Sequence, residues 1–210
     1  MKKVFISLFI VLGWLLINAQ EAPNEARDTQ KTGQTSTLLK EPVRHGIYGS
    51  AVMKYATVGT DQTNSLLIGG EVCWVLNKKY QLGLGFTGLS TIVDAPQVFP
   101  VEDLVLVTNY GGIIFGYHHN PHKLIHFEAQ SLFGIGQAFY RDRDYRATYN
   151  QNDAYILIEP TVSAVLNVTT GFRLGAGFSY RLAQRVNLIG LENSDLAGLS
   201  LNLSFRIGRF

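Results

Sequence analysis

The stretch Gly198-Leu199-Ser200-Leu201-Asn202-Leu203-Ser204-Phe205-Arg206-Ile207-Gly208-Arg209-Phe210 decides how the rest of the chain is read. Large apolar residues occupy 199, 201, 203, 205 and 207, and Ser200, Asn202, Ser204, Arg206 and Gly208 stand between them. Side chains of a strand point alternately to opposite faces, so this two-residue period describes a strand with one oily face and one wet face. The same plan recurs upstream. Over 171–183, Phe172, Leu174, Ala176, Phe178, Tyr180 and Leu182 alternate with Gly171, Arg173, Gly175, Gly177, Ser179 and Arg181. Over 123–139, Ile125, Phe127, Phe133 and Ile135 alternate with His126, Glu128, Gln130, Gly134 and Gly136.

Five further strands complete the pattern, at 46–58, 65–76, 80–92, 104–118 and 154–167. The first sets Ile47, Met53 and Tyr55 against Tyr48, Ser50 and Lys54; the second sets Ile68, Val72 and Trp74 against Gly69, Glu71 and Cys73. Pro160 interrupts the strand at 154–167 and predicts a bulge or a locally missing ladder bond. The strand at 104–118 carries bulky residues on both faces around Gly111-Gly112, which leaves its parity open.

The spacing of these strands carries its own information. Connections near 77–79, 119–122 and 168–170 are short; those near 94–103, 140–153 and 184–195 are long, and 59–64 is intermediate. Short and long alternate, as expected of an all-β, eight-stranded, antiparallel up-and-down transmembrane barrel with tight periplasmic turns and larger external loops. Composition agrees. There are 21 Gly, and Phe (12) with Tyr (10) outnumber the charges of either sign, 18 Lys and Arg against 16 Asp and Glu. That mixture suits a glycine-tolerant, aromatic-belted barrel. The net charge of +2 is too small and scattered for nucleic-acid binding. Cys73 is the only cysteine, so no intrachain disulfide can form, and it reads as a small packing residue.

Ahead of the strands, Lys2 and Lys3 precede an apolar run from Val4 to Ile17 and then Asn18-Ala19-Gln20. A basic head, an apolar core and a small residue at a polar boundary describe a cleaved signal peptide, 1–19; the run is short of the roughly 20 residues a spanning helix needs. Residues 20–44 are polar without period and read as a disordered periplasmic tether. The barrel domain is 45–210, and export places it in the cell outer membrane.

In a membrane barrel the oily face meets lipid and the small or polar face fills the lumen. The parities above send Lys54, Glu71, Glu128, Glu159, Arg173, Arg181 and Arg206 inward, with His126 and Gln130. Eight strands leave an interior only just wide enough for side chains, and isolated buried charges cost several kcal/mol, so these groups must pair into an ionic network that fills the lumen. Lys54 is expected beside Glu71, and the glutamates at 128 and 159 near Arg173 and Arg206. No catalytic set is read. Every histidine (45, 118, 119, 122, 126) maps to the periplasmic end, away from the leaflet that an acyl-modifying enzyme would serve. The cluster His118-His119-Asn120-Pro121-His122 reads as a solvated turn lacking an acidic partner, and no metal or cofactor is expected. The loop Arg141-Asp142-Arg143-Asp144-Tyr145-Arg146 reads as a self-neutralising external loop.

Gly46-Ile47-Tyr48-Gly49 with Lys54, Gly69-Gly70 with Trp74 and Asn77, Tyr110-Gly111-Gly112, Leu157-Ile158-Glu159-Pro160, Phe172-Arg173-Leu174-Gly175 and Ser179-Tyr180-Arg181 resemble small outer-membrane β-barrel proteins of Bacteroidota-type bacteria. The resemblance spans about 45–210 and implies a fold and a location without an activity. It also implies that the terminal aromatic, Phe210, is an assembly signal, although Phe210 is out of phase with Phe205 and Ile207. The expected protein is therefore a monomeric, non-catalytic barrel with a structural or surface-interaction role. Its partners would be outer-membrane lipid and lipopolysaccharide, with the barrel-assembly machinery and periplasmic chaperones during biogenesis. Two alternatives stay open. One is a soluble periplasmic barrel of the lipocalin kind, whose Leu/Phe face lines a ligand cavity while Arg173, Glu159 and Arg206 meet water; the other is a lipid A acyl-modifying barrel.

Overall fold

The computed structural model describes residues 44–96, 104–143 and 148–210. The expected signal peptide and nearly all of the tether lie outside the described residues, as do 97–103 and 144–147 within the long connections. The strands are β1 (His45–Val58), β2 (Thr63–Leu76), β3 (Tyr80–Leu89), the two-residue β4 (Val93–Asp94), β5 (Leu104–His119), β6 (Ile125–Asp142), β7 (Thr148–Asn167), β8 (Phe172–Gln184) and β9 (Gly198–Arg209). One helical turn, α1 (Asn193–Leu196), precedes β9.

Every strand pairs antiparallel with its sequence neighbour, β4 excepted, and β9 pairs back onto β1 from Ile47↔Arg209 to Ala56↔Ser200. The ring closes because β3 pairs with β5, from Tyr80↔Tyr117 to Gly88↔Asn109. β4 only lengthens the edge of β5 beyond the end of β3. The fold is a closed, eight-stranded antiparallel barrel, which leaves no unpaired edge.

The sequence alternation maps onto the wall as two faces. The outward face carries Ile47, Ile68, Leu84, Phe127, Ile135, Phe178, Leu199 and Ile207, all exposed. The inward face buries Lys54, Glu128, Glu159, Arg181 and Arg206, each with 4% or less of its surface accessible. A soluble barrel requires the opposite, so the lipocalin-like alternative does not describe this molecule: Arg173, Glu159 and Arg206 do not meet water. The parity of β5 is settled as well. Ile113, Phe115 and Tyr117 point out, while Tyr110, Ile114 and His118 point in.

Two local expectations change and a third is decided between its alternatives. The strand expected at 80–92 ends at Leu89. The expected loop 140–153 is mostly strand, because β6 runs to Asp142 and β7 starts at Thr148, so this hairpin stands beyond its neighbours. At 18 and 20 residues, β6 and β7 far exceed the roughly 9–11 residues that a tilted strand needs to cross a bilayer. At Pro160, β7 keeps one register with β8 across the pairs Ile158↔Leu182 and Thr161↔Ser179, but Glu159 and Pro160 have no ladder partner there. A proline has no N–H to give, so of the two outcomes expected at Pro160 the missing ladder bond is realised and the bulge is not.

Close packing, against backbone at Gly112 and Gly134 and against the Ile114 and Leu132 side chains at Gly85, explains one row of glycines. Gly85, Gly112 and Gly134 are paired side by side across β3, β5 and β6. A Cβ on Gly134 would press into the carbonyl of Gly111, whereas one on Gly49, outside the wall, would meet nothing within 4 Å. Gly134→Val is therefore expected to destabilise the barrel by about 1–3 kcal/mol through overpacking, with Gly49→Ala close to neutral. Urea unfolding of both variants in detergent checks the contrast.

Candidate functional site

The interior divides along its height. At the end with the long connections it is apolar: Val58, Leu67, Val93, Leu104, Leu106, Ala138, Leu157 and Ala183 belong to one buried cluster. The β8–β9 connection adds to it. Leu188, Leu191 and Leu196 are buried in the same cluster, α1 supplying the last of them. Backbone and side-chain bonds fasten this connection. Tyr140 Oη donates to the Ile189 carbonyl at 2.8 Å, Asn187 N to Asp153 Oδ2 at 2.6 Å, and Gly59 N to the Asp195 carbonyl at 2.8 Å. The sequence-based expectation of small or polar inward residues therefore holds for only part of the lumen. The overlooked signal was the set of leucines inside an apparent loop.

The middle and the short-turn end hold charged groups, four of them in two ion pairs. Lys54 Nζ lies 2.6 Å from Glu159 Oε2 and 3.2 Å from Tyr110 Oη. Tyr110 Oη donates to the same carboxylate oxygen at 3.0 Å and Ser179 Oγ donates to Oε1 at 2.7 Å, so Glu159 is held by three donors. Below it, Arg206 Nη1 meets Glu128 Oε2 at 2.5 Å, His118 Nδ1 lies 3.0 Å from that oxygen, and Arg206 Nε donates to Ser204 Oγ at 3.2 Å. A separate chain of a phenol and two amides ends on the Glu71 carboxyl. Tyr48 Oη donates to Gln81 Oε1 (2.9 Å), Gln81 Nε2 to Gln130 Oε1 (2.5 Å), and Gln130 Nε2 to Glu71 Oε1 (3.2 Å).

Lys54 thus reaches Glu159 and not Glu71, which bonds Gln130 and, at 3.4 Å, Ser50. The reason is geometric. Lys54 is paired across the hairpin with Leu67, and Glu71 with Ser50, so the two inward side chains sit at different heights of the wall. Glu128 does find Arg206, but among the described residues Arg173 takes no carboxylate: its guanidinium lies 3.8 Å over the Phe210 ring. Phe210 also packs on Tyr48 at 5.2 Å, so its ring turns to the inner side, as its phase requires. Arg181 donates from Nη2 to the Thr57 carbonyl at 3.0 Å, while its Nε and Nη1 have no protein partner among the described residues. Of the histidine cluster, His118 turns into the lumen beside His126, with ring centroids 6.1 Å apart, whereas His119 and His122 are exposed. The three therefore do not converge, and among the described residues no three metal-ligating side chains do. Tyr110, Ser179 and His118 join the set expected inside; His118, expected in a solvated turn without an acidic partner, is instead buried beside Glu128. Tyr110 and His118 lie on the one strand whose parity the sequence pattern left open.

Residual space between Lys54, Glu71, Gln130 and Arg206 amounts to about 10 Å³. That is the scale of a single water at most. A second cavity, near 290 Å³, opens at the short-turn rim beside Arg44, Lys78 and Arg209.

No protein-family model matches the sequence, and a comparison with curated proteins yields no match. Among solved structures, the chain is similar to Neisserial surface protein A, with a TM-score of 0.61 at 13% identity over 80% of this chain and 99% of that one. Two further structures align over a similar length. They are the N-terminal β-barrel domain of Pseudomonas aeruginosa OprF (TM-score 0.49, 13% identity, 80% and 99%) and Ail, the attachment invasion locus protein of Yersinia pestis (0.47, 9%, 79% and 97%). At 13% identity the first of these shows a shared fold and nothing finer.

Proposed function

We propose that this chain is a small integral outer-membrane barrel, non-catalytic and monomeric, whose lumen is plugged by its own side chains and whose role is structural or one of surface contact. The carrying observation is sidedness: large aliphatic and aromatic groups line the outside while arginine, lysine and glutamate are enclosed. Only a hydrocarbon surround makes that arrangement favourable, since exposed apolar surface of this extent would drive a water-soluble protein to aggregate. With both chain ends and the tight turns on the periplasmic side, the long-connection end faces outward from the cell. In this reading residues 1–19 are the export signal, 20–44 the tether and Phe210 part of the assembly signal. In the same reading the barrel is one of the Bacteroidota-type proteins that the motifs from Gly46 to Arg181 resemble. Lipopolysaccharide surrounds its outer half, and the assembly machinery and chaperones handle it before insertion.

The plug rests on two closures in series, the ion pairs in the middle and the leucines of the β8–β9 connection above them. Two measurements test the proposal. The purified protein is expected to require detergent, to migrate differently in gels before and after boiling, and to float with liposomes. In planar bilayers it is expected to give no stable conductance step. A protein monomeric without detergent would overturn the membrane reading; steady single-channel currents would overturn the plug.

A further inference from the structure

The turn that joins β2 to β3 is built against preference. Asn77 and Lys78 both take positive φ, 52° and 60°, and Lys79 N bonds the Leu76 carbonyl at 3.0 Å, which makes a two-residue hairpin turn of the primed kind. Such turns favour Asn followed by Gly, because a side chain at the second position is strained in the left-handed region. Here a lysine stands where glycine would be free of strain. Strain of that kind is a pointer to function when something local makes use of the side chain.

The surroundings supply a use. Lys78 borders the 290 Å³ cavity together with Arg44, His45, Arg209 and Phe210. Arg44, Lys78 and Arg209 are exposed, and none joins an ion pair among the described residues. Among the described residues no Asp or Glu side chain lines the cavity, so its described lining holds three cations and no acidic side chain. The lining takes both parities of the wall, outward His45 and Arg209 with inward Gly46 and Val75, so the cavity straddles the rim. Just outside it Ile47 and Ile207 are exposed, and His45 stacks on exposed Trp74 at 5.4 Å. An aromatic pair of this kind belongs at headgroup level, next to the hydrocarbon edge.

We propose that this rim holds the phosphate of an anionic inner-leaflet phospholipid between Arg44, Lys78 and Arg209, with its acyl chains on Ile47 and Ile207. The proposal rests on the membrane reading above. The cavity lies just under the roughly 300 Å³ at which small-ligand sites begin, which suits a headgroup and not a whole lipid. Clustered basic side chains at a membrane surface select anionic lipid over zwitterionic.

The test uses protein extracted from membranes, loaded with equal phosphatidylglycerol and phosphatidylethanolamine, and analysed by native mass spectrometry. Wild type is expected to retain phosphatidylglycerol preferentially. The triple variant Arg44→Ala/Lys78→Gly/Arg209→Ala is expected to lose that preference by about tenfold or more. Because Lys78→Gly relieves the turn, the single variant is expected to unfold at equal or higher urea while weakening the selection. Unchanged heat-modifiable migration establishes that each variant is folded. Equal retention of the two lipids by wild type, or unaltered selection in the triple variant, overturns the proposal. Displacement of the lipid by millimolar inorganic phosphate shows a site for free anions and overturns the lipid assignment. Wild type that fails to float with any liposome refutes the membrane reading instead, a result distinguishable from loss of selectivity in a barrel that floats.

Discussion

Lys54→Met is expected to cost the barrel about 3–5 kcal/mol of unfolding free energy, because it leaves the Glu159 carboxylate buried without its countercharge. Glu159 is 1% accessible and would retain only the hydroxyls of Tyr110 and Ser179. Neutral donors do not balance a carboxylate withdrawn from water, so the variant must protonate Glu159, admit water or loosen the wall. Removing both charges avoids this. Lys54→Met/Glu159→Gln gives one hydroxyl the amide oxygen to donate to and lets the other rotate to accept from the amide N–H, and it is expected to recover most of the loss, since well-packed neutral replacements of a buried pair are often close to neutral. Urea unfolding in phospholipid vesicles measures both variants. Trp74, which points outward, gives a fluorescence signal that reports the lipid surround directly. A single variant within about 1 kcal/mol of wild type would show that the pair is not desolvated as the geometry indicates.

The second large effect concerns the other face. Phe178 sits at the middle of β8, is 58% accessible and is flanked across the sheet by Val162 and Leu201. Phe178→Arg is expected to cost about 2–4 kcal/mol, the penalty of a cation at the bilayer midplane, and to reduce the fraction of protein that floats with liposomes. The sign is what makes this informative. On a water-soluble barrel the same exchange removes an exposed ring from water and is neutral or helpful to solubility. A variant with undiminished stability and flotation would contradict the assignment of this face to lipid.

Much of the barrel was legible in the alternation, and its failures share a cause. β8 and β9 could be read residue by residue because small or polar residues mark their inner face throughout. β5 could not, since its inner face changes character along its length, from His118 through Ile114 and Tyr110 to Leu106 and Leu104. Where the interior becomes apolar, inward positions look as oily as outward ones, and a period of two loses its contrast. The partners of the charged groups were hidden for a different reason. Lys54 and Glu159 are far apart in sequence and on strands that are not neighbours, so their meeting depends on strand tilt and stagger around a closed ring. Local pattern assigns a face; it does not assign a partner across the lumen. The rim site was hidden similarly, since nothing in the order of residues brings Arg44, Lys78 and Arg209 to one opening.

The inward-tucked β8–β9 connection has a bearing on how this scaffold can be used. Long loops on surface proteins are the customary places to graft foreign peptides for display, and 185–197 would be an obvious choice by length. Yet Leu188, Leu191 and Leu196 make that segment a stopper. Replacing it would uncork the mouth and wet an interior composed to stay dry, so cargo is better carried on a hairpin that closes nothing.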